Sequence, residues 1–312
     1  MATTETTSPV WDDQRLKSPH AQADKRQRVQ KMFAAIAPSY DLNNRLHSLG
    51  VDQVWRKRAV KLAQLLPTDI VVDVACGTGD LTLQFAKRID LIQSADTRKH
   101  VRSVGAHAAA VVTGVEDVRS PSERAGIPSR FETEPGIAWH PHAIEFHHGP
   151  RVLGIDFTFA MLPIAYRKSP DKLFKPRIRY VNGDALSLPL PDQSADVLSI
   201  AFGIRNVSDP AAAIKEFHRV LRPGGRLIIL EFSLPSNPVL RGLYNFYFRK
   251  ILPRTATLIS RDKTGAYKYL PESVNTFINR QTMMEMMTAA GFKEVTQHPM
   301  TFGVCVCYRG IK

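Results

Sequence analysis

Residues 70–80 read Ile70-Val-Val-Asp-Val-Ala-Cys-Gly-Thr-Gly-Asp80. The run from Ile70 to Ala75 is apolar and β-branched apart from one acid. A short run of this kind reads as a strand buried on both faces. Gly77 and Gly79 then permit a tight turn and let backbone approach a ligand without Cβ obstruction. An apolar-periodic helix follows through about Arg88. Strand, glycine turn and helix together open a nucleotide-binding α/β sheet.

Working outward, the same grammar repeats. Arg151–Asp156 is a second strand that ends in an acid, and Arg177–Asn182 is a third, followed by Gly183-Asp184. Ala195–Ala201 is a fourth. Asp209-Pro210 caps the helix after it, whose inward face is Ile214, Phe217 and Leu221. Arg222-Pro-Gly-Gly225 closes that helix, and Arg226–Phe232 is a fifth strand. Lys293–Gln297 and Thr301–Tyr308 form a terminal hairpin. Strands alternating with helices predict a doubly wound, mostly parallel seven-stranded sheet with an antiparallel edge. Upstream, Val29, Met32, Phe33 and Ile36 fall on one helical face between about Asp24 and Ala37, and a further helix covers Val54–Leu66. Residues 1–24 are polar and without period, and read as a disordered tail. The rest, 25–312, reads as one domain.

One stretch breaks the pattern. In a dinucleotide site the acid that ends the second strand lies ~20 residues beyond the glycine turn. Here Gly79 and Asp156 are far more widely separated, so residues 91–150 are an insertion. It holds six of the ten histidines, and His140, His142, His147 and His148 cluster near its end, with a helix expected near 98–112. The histidine spacing matches no standard metal site, which favours a solvated loop and a protein that needs no metal.

Composition narrows the classes further. Three cysteines cannot build a disulfide framework. No apolar run reaches the ~20 residues of a spanning helix. The N-terminus lacks the apolar core of a secretory signal and the arginines of a transit peptide. A cytoplasmic protein is the expectation. The net charge is +13, and residues 236–270 alone carry Arg241, Arg249, Lys250, Arg254, Arg261, Lys263 and Lys268 against Asp262. Such an excess reads as a solvated face, an anionic membrane surface or a nucleic-acid footprint.

The ligand follows from the turn. A dinucleotide site would place a third glycine at position 82, where this chain has Thr82. Asp73 can accept from a positively charged amino group, which fits a ligand with an ammonium and no pyrophosphate. S-adenosylmethionine is such a ligand. Asp156 then suits the two ribose hydroxyls, and Asp184-Ala185 the adenine.

With those residues in place, four stretches make the chain resemble the class I C-methyltransferases of menaquinone and ubiquinone biosynthesis. They are Val29–Arg45 (VQKMFAAIAPSYDLNNR), Val71–Leu81 (VVDVACGTGDL), Ala201–Val207 (AFGIRNV) and Arg219–Leu234 (RVLRPGGRLIILEFSL). Asp262–Ser273 and the C-terminal Thr301-Phe-Gly-Val and Tyr308-Arg-Gly also match. The resemblance spans about 25–90 and 151–312 and has no counterpart for the insertion. It implies the class I methyltransferase fold and methyl transfer from S-adenosylmethionine to a ring carbon of a polyprenylated quinol. The substrate is demethylmenaquinol or, alternatively, the polyprenyl-benzoquinol of the ubiquinone pathway. Family binding positions fall on Thr78, Asp156, Asp184, Ala185 and Ala201, where a serine is common at 201 and an asparagine at 184.

The chemistry asks for alignment of two centres and removal of a phenolic proton. Arg205 is a candidate to stabilise the phenolate or polarise a water, Asn206 to orient a ring oxygen, and Tyr40 and Asp41 to close over the site. Leu240, Leu243, Tyr244, Phe246, Tyr247, Phe248, Ile251 and Leu252 interleave with the bases of 236–270. That amphipathic, aromatic pattern predicts peripheral binding to the inner face of an anionic membrane, where a prenylated quinol resides. A nucleic-acid methyltransferase would place an Asn/Asp-Pro-Pro-aromatic motif after the fourth strand, so no nucleic-acid partner is expected. A non-catalytic S-adenosylmethionine-binding assembly protein is the rival of another class. A homodimer or a quinone-biosynthesis complex stays open.

Overall fold

The computed structural model describes residues 9–108, 137–138, 151–170, 177–260 and 262–312. Among the described residues eight strands form one sheet: β1 (Val71–Val74), β2 (Ile137–Ala138), β3 (Val152–Asp156), β4 (Ile178–Asn182), β5 (Ala195–Ala201), β6 (Leu221–Phe232), β7 (Lys293–Met300) and β8 (Cys305–Ile311). Their order is β2-β4-β3-β1-β5-β6-β8-β7. β2 to β6 and β1 pair in parallel, whereas β8 runs antiparallel to both β6 and β7. The reversed strand thus lies one place in from the edge, and the terminal hairpin is present. The eighth strand, β2, is a two-residue addition from the insertion that pairs with β4.

Each core strand splits its side chains between two faces. Val72, Val74, Leu153, Ile155, Leu198 and Ile200 pack with α6 (Pro210–Val220) and α10 (Arg280–Ala289). Val71, Val152, Val197, Ile228 and Leu230 pack with α3 (Val51–Leu62), α4 (Asp80–Ala108) and α5 (Leu162–Lys168). Burying each such side chain contributes about 1.5–3 kcal/mol, so the two faces hold the strands in register.

The sequence expectations differ from the structure at three places. α4 runs to Ala108, well past Arg88, and merges with the helix expected near 98. The four clustered histidines lie outside the described residues. β6 begins at Leu221, with Arg222–Gly225 looping out where the pairing jumps from Ala195↔Leu221 to Val197↔Arg226. Finally, residues 9–24, expected as part of a disordered tail, are anchored by buried Trp11, Leu16 and Pro19, and residues 1–8 lie outside the described residues. Trp11 is 1% exposed and stacks on Tyr269 at 4.4 Å between ring centroids, and its backbone N–H donates to Thr264 O at 2.9 Å. A single large anchor outweighs the polar composition around it.

A third apolar cluster lies apart from the sheet. It joins Trp11 and Leu16 to α1 (Lys25–Ile36), α8 (Leu252–Ser260) and α9 (Ala266–Asn275). α1 crosses the C-terminal ends of three strands. Gln30 donates to Phe157 O after β3, Arg26 pairs with Asp184 after β4, and Lys25 donates to Arg205 O and Val207 O after β5. Among the described residues no helix is long and apolar enough to cross a membrane.

Candidate functional site

Parallel sheets open their cleft at the carboxyl ends of the strands, where the chain order reverses. Here that point lies beside β1, between β3 and β5. Two cavities meet there. The first is a cleft lined by Gly77, Asp156, Phe157, Asp184, Ala185, Ala201 and Asn206. The second, of about 310 Å³, is mostly apolar and lined by Trp55, Phe232, Phe248, Leu252, Tyr269 and Leu270 among others. Phe33, Tyr40 and Phe202 line both, so they form the passage between them.

In the cleft, Asp156 is the best-organised group. Its two oxygens accept from Gly77 N and Thr158 N, each at 2.7 Å. Asp156 lines the cleft, and a carboxylate oxygen can accept more than one hydrogen bond, which is the capacity a ribose diol would use. Burial pushes its carboxyl up to about 6, against the lowering effect of those two N–H donors. Asp184 accepts from Leu186 N at 3.0 Å and pairs with Arg26 at 2.8 Å. The guanidinium of Arg26 also lies 4.5 Å from the Phe157 ring centroid.

Other expected residues sit elsewhere. Asp73 does not line the cleft. Its oxygens accept from Thr82 Oγ1 at 2.6 Å and Ser199 Oγ at 2.7 Å, so both are satisfied inside the sheet. Burial raises it too to about 6. In this arrangement Asp73 joins β1 to α4 and β5. Gly79 turns away as well: a Cβ there would lie 2.6 Å from Tyr180 Oη, at a φ of +82°. Gly77 faces open space, with nothing nearer to such a Cβ than Tyr40 at 4.0 Å.

Asp41 and Thr78 form a latch rather than lining either cavity. Thr78 Oγ1 donates to Asp41 Oδ1 at 2.5 Å, and Lys168 Nζ donates to Asp41 Oδ2 at 2.7 Å and Asp80 Oδ1 at 2.5 Å. The cluster ties α2 (Tyr40–Ser48) to the glycine turn. Asp41 therefore closes the site as a tether and is not placed to take a substrate proton.

The turn after β5 supplies the passage. Phe202 has φ +56°, rare for an aromatic residue. Gly203 is required beside it, because a Cβ there would sit 2.6 Å from the Ala75 Cβ. Arg205 faces the apolar cavity, but its Nη1 donates to Glu231 Oε1 and Phe202 O, both at 2.7 Å. Asn206 lines the cleft, accepts from Tyr269 Oη at 2.9 Å and donates to Phe202 O at 3.3 Å. Tyr40 is half-buried, and desolvation raises its phenol above the usual range.

Sequence reading passed over Lys25, Arg26, Phe157, Asp52 and Arg56. Lys25 is 3% exposed, and burial lowers it to about 8. Asp52 and Arg56 fall with Trp55, Ala59 and Val60 on the buried stripe of α3. Charged residues at i and i+4 on an apolar face were the available signal. Among the described residues no three His, Cys, Asp or Glu side chains converge as a metal site.

Comparison with known proteins follows the same lines. A model described as the ubiE/COQ5 methyltransferase family matches residues 21–312. A Geobacter sp. (strain M21) protein named ubiquinone/menaquinone biosynthesis C-methyltransferase UbiE is 35% identical over 293 residues, covering 94% of this chain and 100% of that one. A Thermus thermophilus demethylmenaquinone methyltransferase is 36% identical over 279 residues, covering 89% and 99%. The crystal structure of the [4+2]-cyclase SpnF aligns with a TM-score of 0.50 at 16% identity, covering 87% of this chain and 74% of that one, a likeness of fold alone.

Proposed function

The chain belongs to the ubiE/COQ5 methyltransferase family, and on that premise we propose that it methylates a ring carbon of demethylmenaquinol with S-adenosylmethionine as donor. The observation that carries the reading is the pair of cavities meeting at Tyr40 and Phe202. One is polar at its carboxylates and sized by two alanines. The other is apolar and aromatic, suited to a ring with a prenyl tail.

Asp156 would hold the ribose hydroxyls, Asp184 the adenine amine, and Ala185 and Ala201 the flat face of the base. When bound, S-adenosylmethionine supplies an electrophilic methyl, which the ring carbon takes as the C–S bond breaks, sulfur keeping the electron pair and the ring proton leaving. The protein's own work is alignment and exclusion of water. Phe202 and Phe232, 4.5 Å apart at their centroids, and Trp55, 6.1 Å from each, pack on one another and give the ring an aromatic wall. Asn206 is fixed by Tyr269 at the cleft side of the same passage.

Membrane association is part of the proposal. Within 238–260 the structure sorts the aromatic and apolar residues: Tyr244 and Leu252 turn inward, while Leu243, Phe246 and Leu258 are exposed. Leu42 and Leu46 are exposed at i and i+4 on α2, Leu49 is exposed just past its end, and Leu49 also lines the cavity. His47 Nε2 and Thr255 Oγ1, 2.8 Å apart, join α2 to α8. Exposed Arg249, Lys250 and Arg254 flank the helices, which supports an anionic bilayer as the surface these leucines enter. Reversing those three charges is expected to abolish binding to anionic vesicles, and unchanged sedimentation with them would refute this part.

Purified chain, S-adenosylmethionine and short-chain demethylmenaquinol are expected to give methylated quinol by mass spectrometry. The Geobacter relative's name also covers the ubiquinone pathway, so a demethyl-benzoquinol run in parallel decides between the two rings. Tight cofactor binding without product from either would favour the assembly-protein reading.

A further inference from the structure

Resting on the methyl-transfer reading, we propose that Arg56 is the group that receives the ionised hydroxyl oxygen of the aromatic substrate, with Asp52 steadying it. Both residues line the apolar cavity from α3, and they are 8% and 5% exposed. The buried Nε of Arg56 has no hydrogen-bond partner. Its approach to Asp52 Oδ2, at 3.7 Å, is a charge contact too long for a hydrogen bond. The Asp52 oxygens are already engaged, Oδ1 accepting from Ser48 Oγ at 2.8 Å and Oδ2 from Gln53 Nε2 at 2.9 Å. So α3 brings a cation into an apolar cavity with a donor to spare. A buried donor left unmade is unfavourable, and a ligand oxygen relieves it.

Position points the same way. The Arg56 guanidinium carbon lies 5.2 Å from the ring centroid of Phe202, which lines both cavities. An aromatic substrate whose ring carbon faces the cleft carries its neighbouring oxygen close to that passage. Arg205, the sequence candidate for this role, is committed: it donates to Glu231 and to Phe202 O, and its Nε to Ser273 Oγ at 3.4 Å. A carboxylate at hydrogen-bond distance offsets its charge. Arg205 shapes the wall, and Arg56 carries the free donor.

The step balances without another reagent. The O–H bond breaks with its electron pair on oxygen, the proton passes to a solvent water, and Arg56 donates to the oxyanion. Conjugation then makes the ortho ring carbon nucleophilic. The other charged or titratable groups facing the cavity are Tyr40 and His47 from α2, Asp52 from α3, Arg205 from the turn after β5, and Tyr267 and Tyr269 from α9. His47 is held at both ring nitrogens, by Asn43 O at 2.9 Å and Thr255 Oγ1. Behind the cavity, Asp73 and Asp80 also feel the charge of Arg56.

The test uses a chromogenic naphthol bound to the full chain with S-adenosylhomocysteine present, its ionisation followed by absorbance. The wild type is expected to lower the naphthol pKa by about one unit or more, as a nearby opposite charge does. Arg56→Gln is expected to raise it to the free value or above, because the apolar cavity disfavours the oxyanion, and Arg56→Lys to retain part of the shift. Asp52→Asn, which keeps the guanidinium and removes its counter-charge, is expected to lower it further. The kcat–pH profile for demethylmenaquinol moves upward in Arg56→Gln by the same interval while cofactor affinity holds. An equal bound pKa in wild type and Arg56→Gln, or a loss of kcat uniform across pH, would overturn the assignment. A naphthol shift that responds to Arg56 in a protein without methyl transfer upholds the oxygen site and refutes only the activity.

Discussion

The cleft and the apolar cavity share a wall but are built differently. The cleft is assembled from strand ends: Gly77 after β1, Asp156 at the end of β3, Asp184 after β4 and Ala201 at the end of β5. Each is placed by the register of a buried strand with its neighbour, for example Asp156↔Asn182. The cavity is assembled from helices far apart in the chain, with α1, α2 and α3 on one side and α8 and α9 on the other. Backbone hydrogen bonds fix the first, whereas side-chain packing, the His47–Thr255 contact and the Trp11–Tyr269 stack hold the second. The difference teaches that one chain can keep a rigid donor site beside a more adaptable acceptor site. Local opening is easier where packing alone closes a structure.

The comparison breaks most readily at Asp156. Asp156→Ala leaves the Gly77 and Thr158 N–H groups without their carboxylate, and bonds to charged groups are worth about 1.5–3 kcal/mol each. S-adenosylmethionine affinity is expected to fall by about a hundredfold or more, corresponding to roughly 3 kcal/mol. Affinity for a prenylated quinol analogue should hold within about threefold, and calorimetry on both ligands checks this. Equal losses would mean the two sites are one cooperative unit.

Gly203→Ala strikes the seam instead. Overpacking of about 1–3 kcal/mol is expected in denaturant unfolding, because the new Cβ meets Ala75 at 2.6 Å. Affinity for both ligands should drop together, unlike the Asp156 variant.

Acid should affect the cleft more than the cavity. With Asp156 at about 6, lowering the pH from 7 to 5 protonates it and weakens binding of the cationic donor by about tenfold. The stability contribution has the opposite sign. A carboxyl raised from 3.8 to about 6 binds its proton in the folded chain before the unfolded one. Its destabilising effect is therefore present above about 6 and is relieved as pH falls toward 3.8. Titration calorimetry at both pH values, with Asp156→Asn as the pH-insensitive reference, measures the binding half.

Asp41→Asn should give the smallest change. It loosens partly exposed contacts to Thr78 and Lys168, so both Michaelis constants are expected to rise by about three- to tenfold with little change in melting temperature. An effect on one substrate alone would show that α2 belongs to that site and does not couple the two.

Legibility followed the same division. The strand–turn–helix at 70–88, the acids ending β3 and following β4, and the terminal hairpin were readable because burial and hydrogen bonding act within a few residues. Asp73 shows the limit. Its neighbours in sequence place it beside the glycine turn, but only the alternation of β1 and the hydroxyls of Thr82 and Ser199 turn it into the sheet. Asp41 reads as part of a family motif, and its actual partner Lys168 lies 127 residues away. Trp11 was hidden in a polar segment for the same reason.

The parallel sheet, the place of the cleft and the carboxylates that face it are written in local pattern, since strand burial and glycine turns depend on residues close together in the chain. Tertiary structure alone decided which charges are spent and which are available. Arg205 and Arg56 are both buried arginines beside Phe202. Glu231 reaches the first at 2.7 Å and Asp52 stays 3.7 Å from the second, a distance set by how β6 and α3 pack and legible in neither segment.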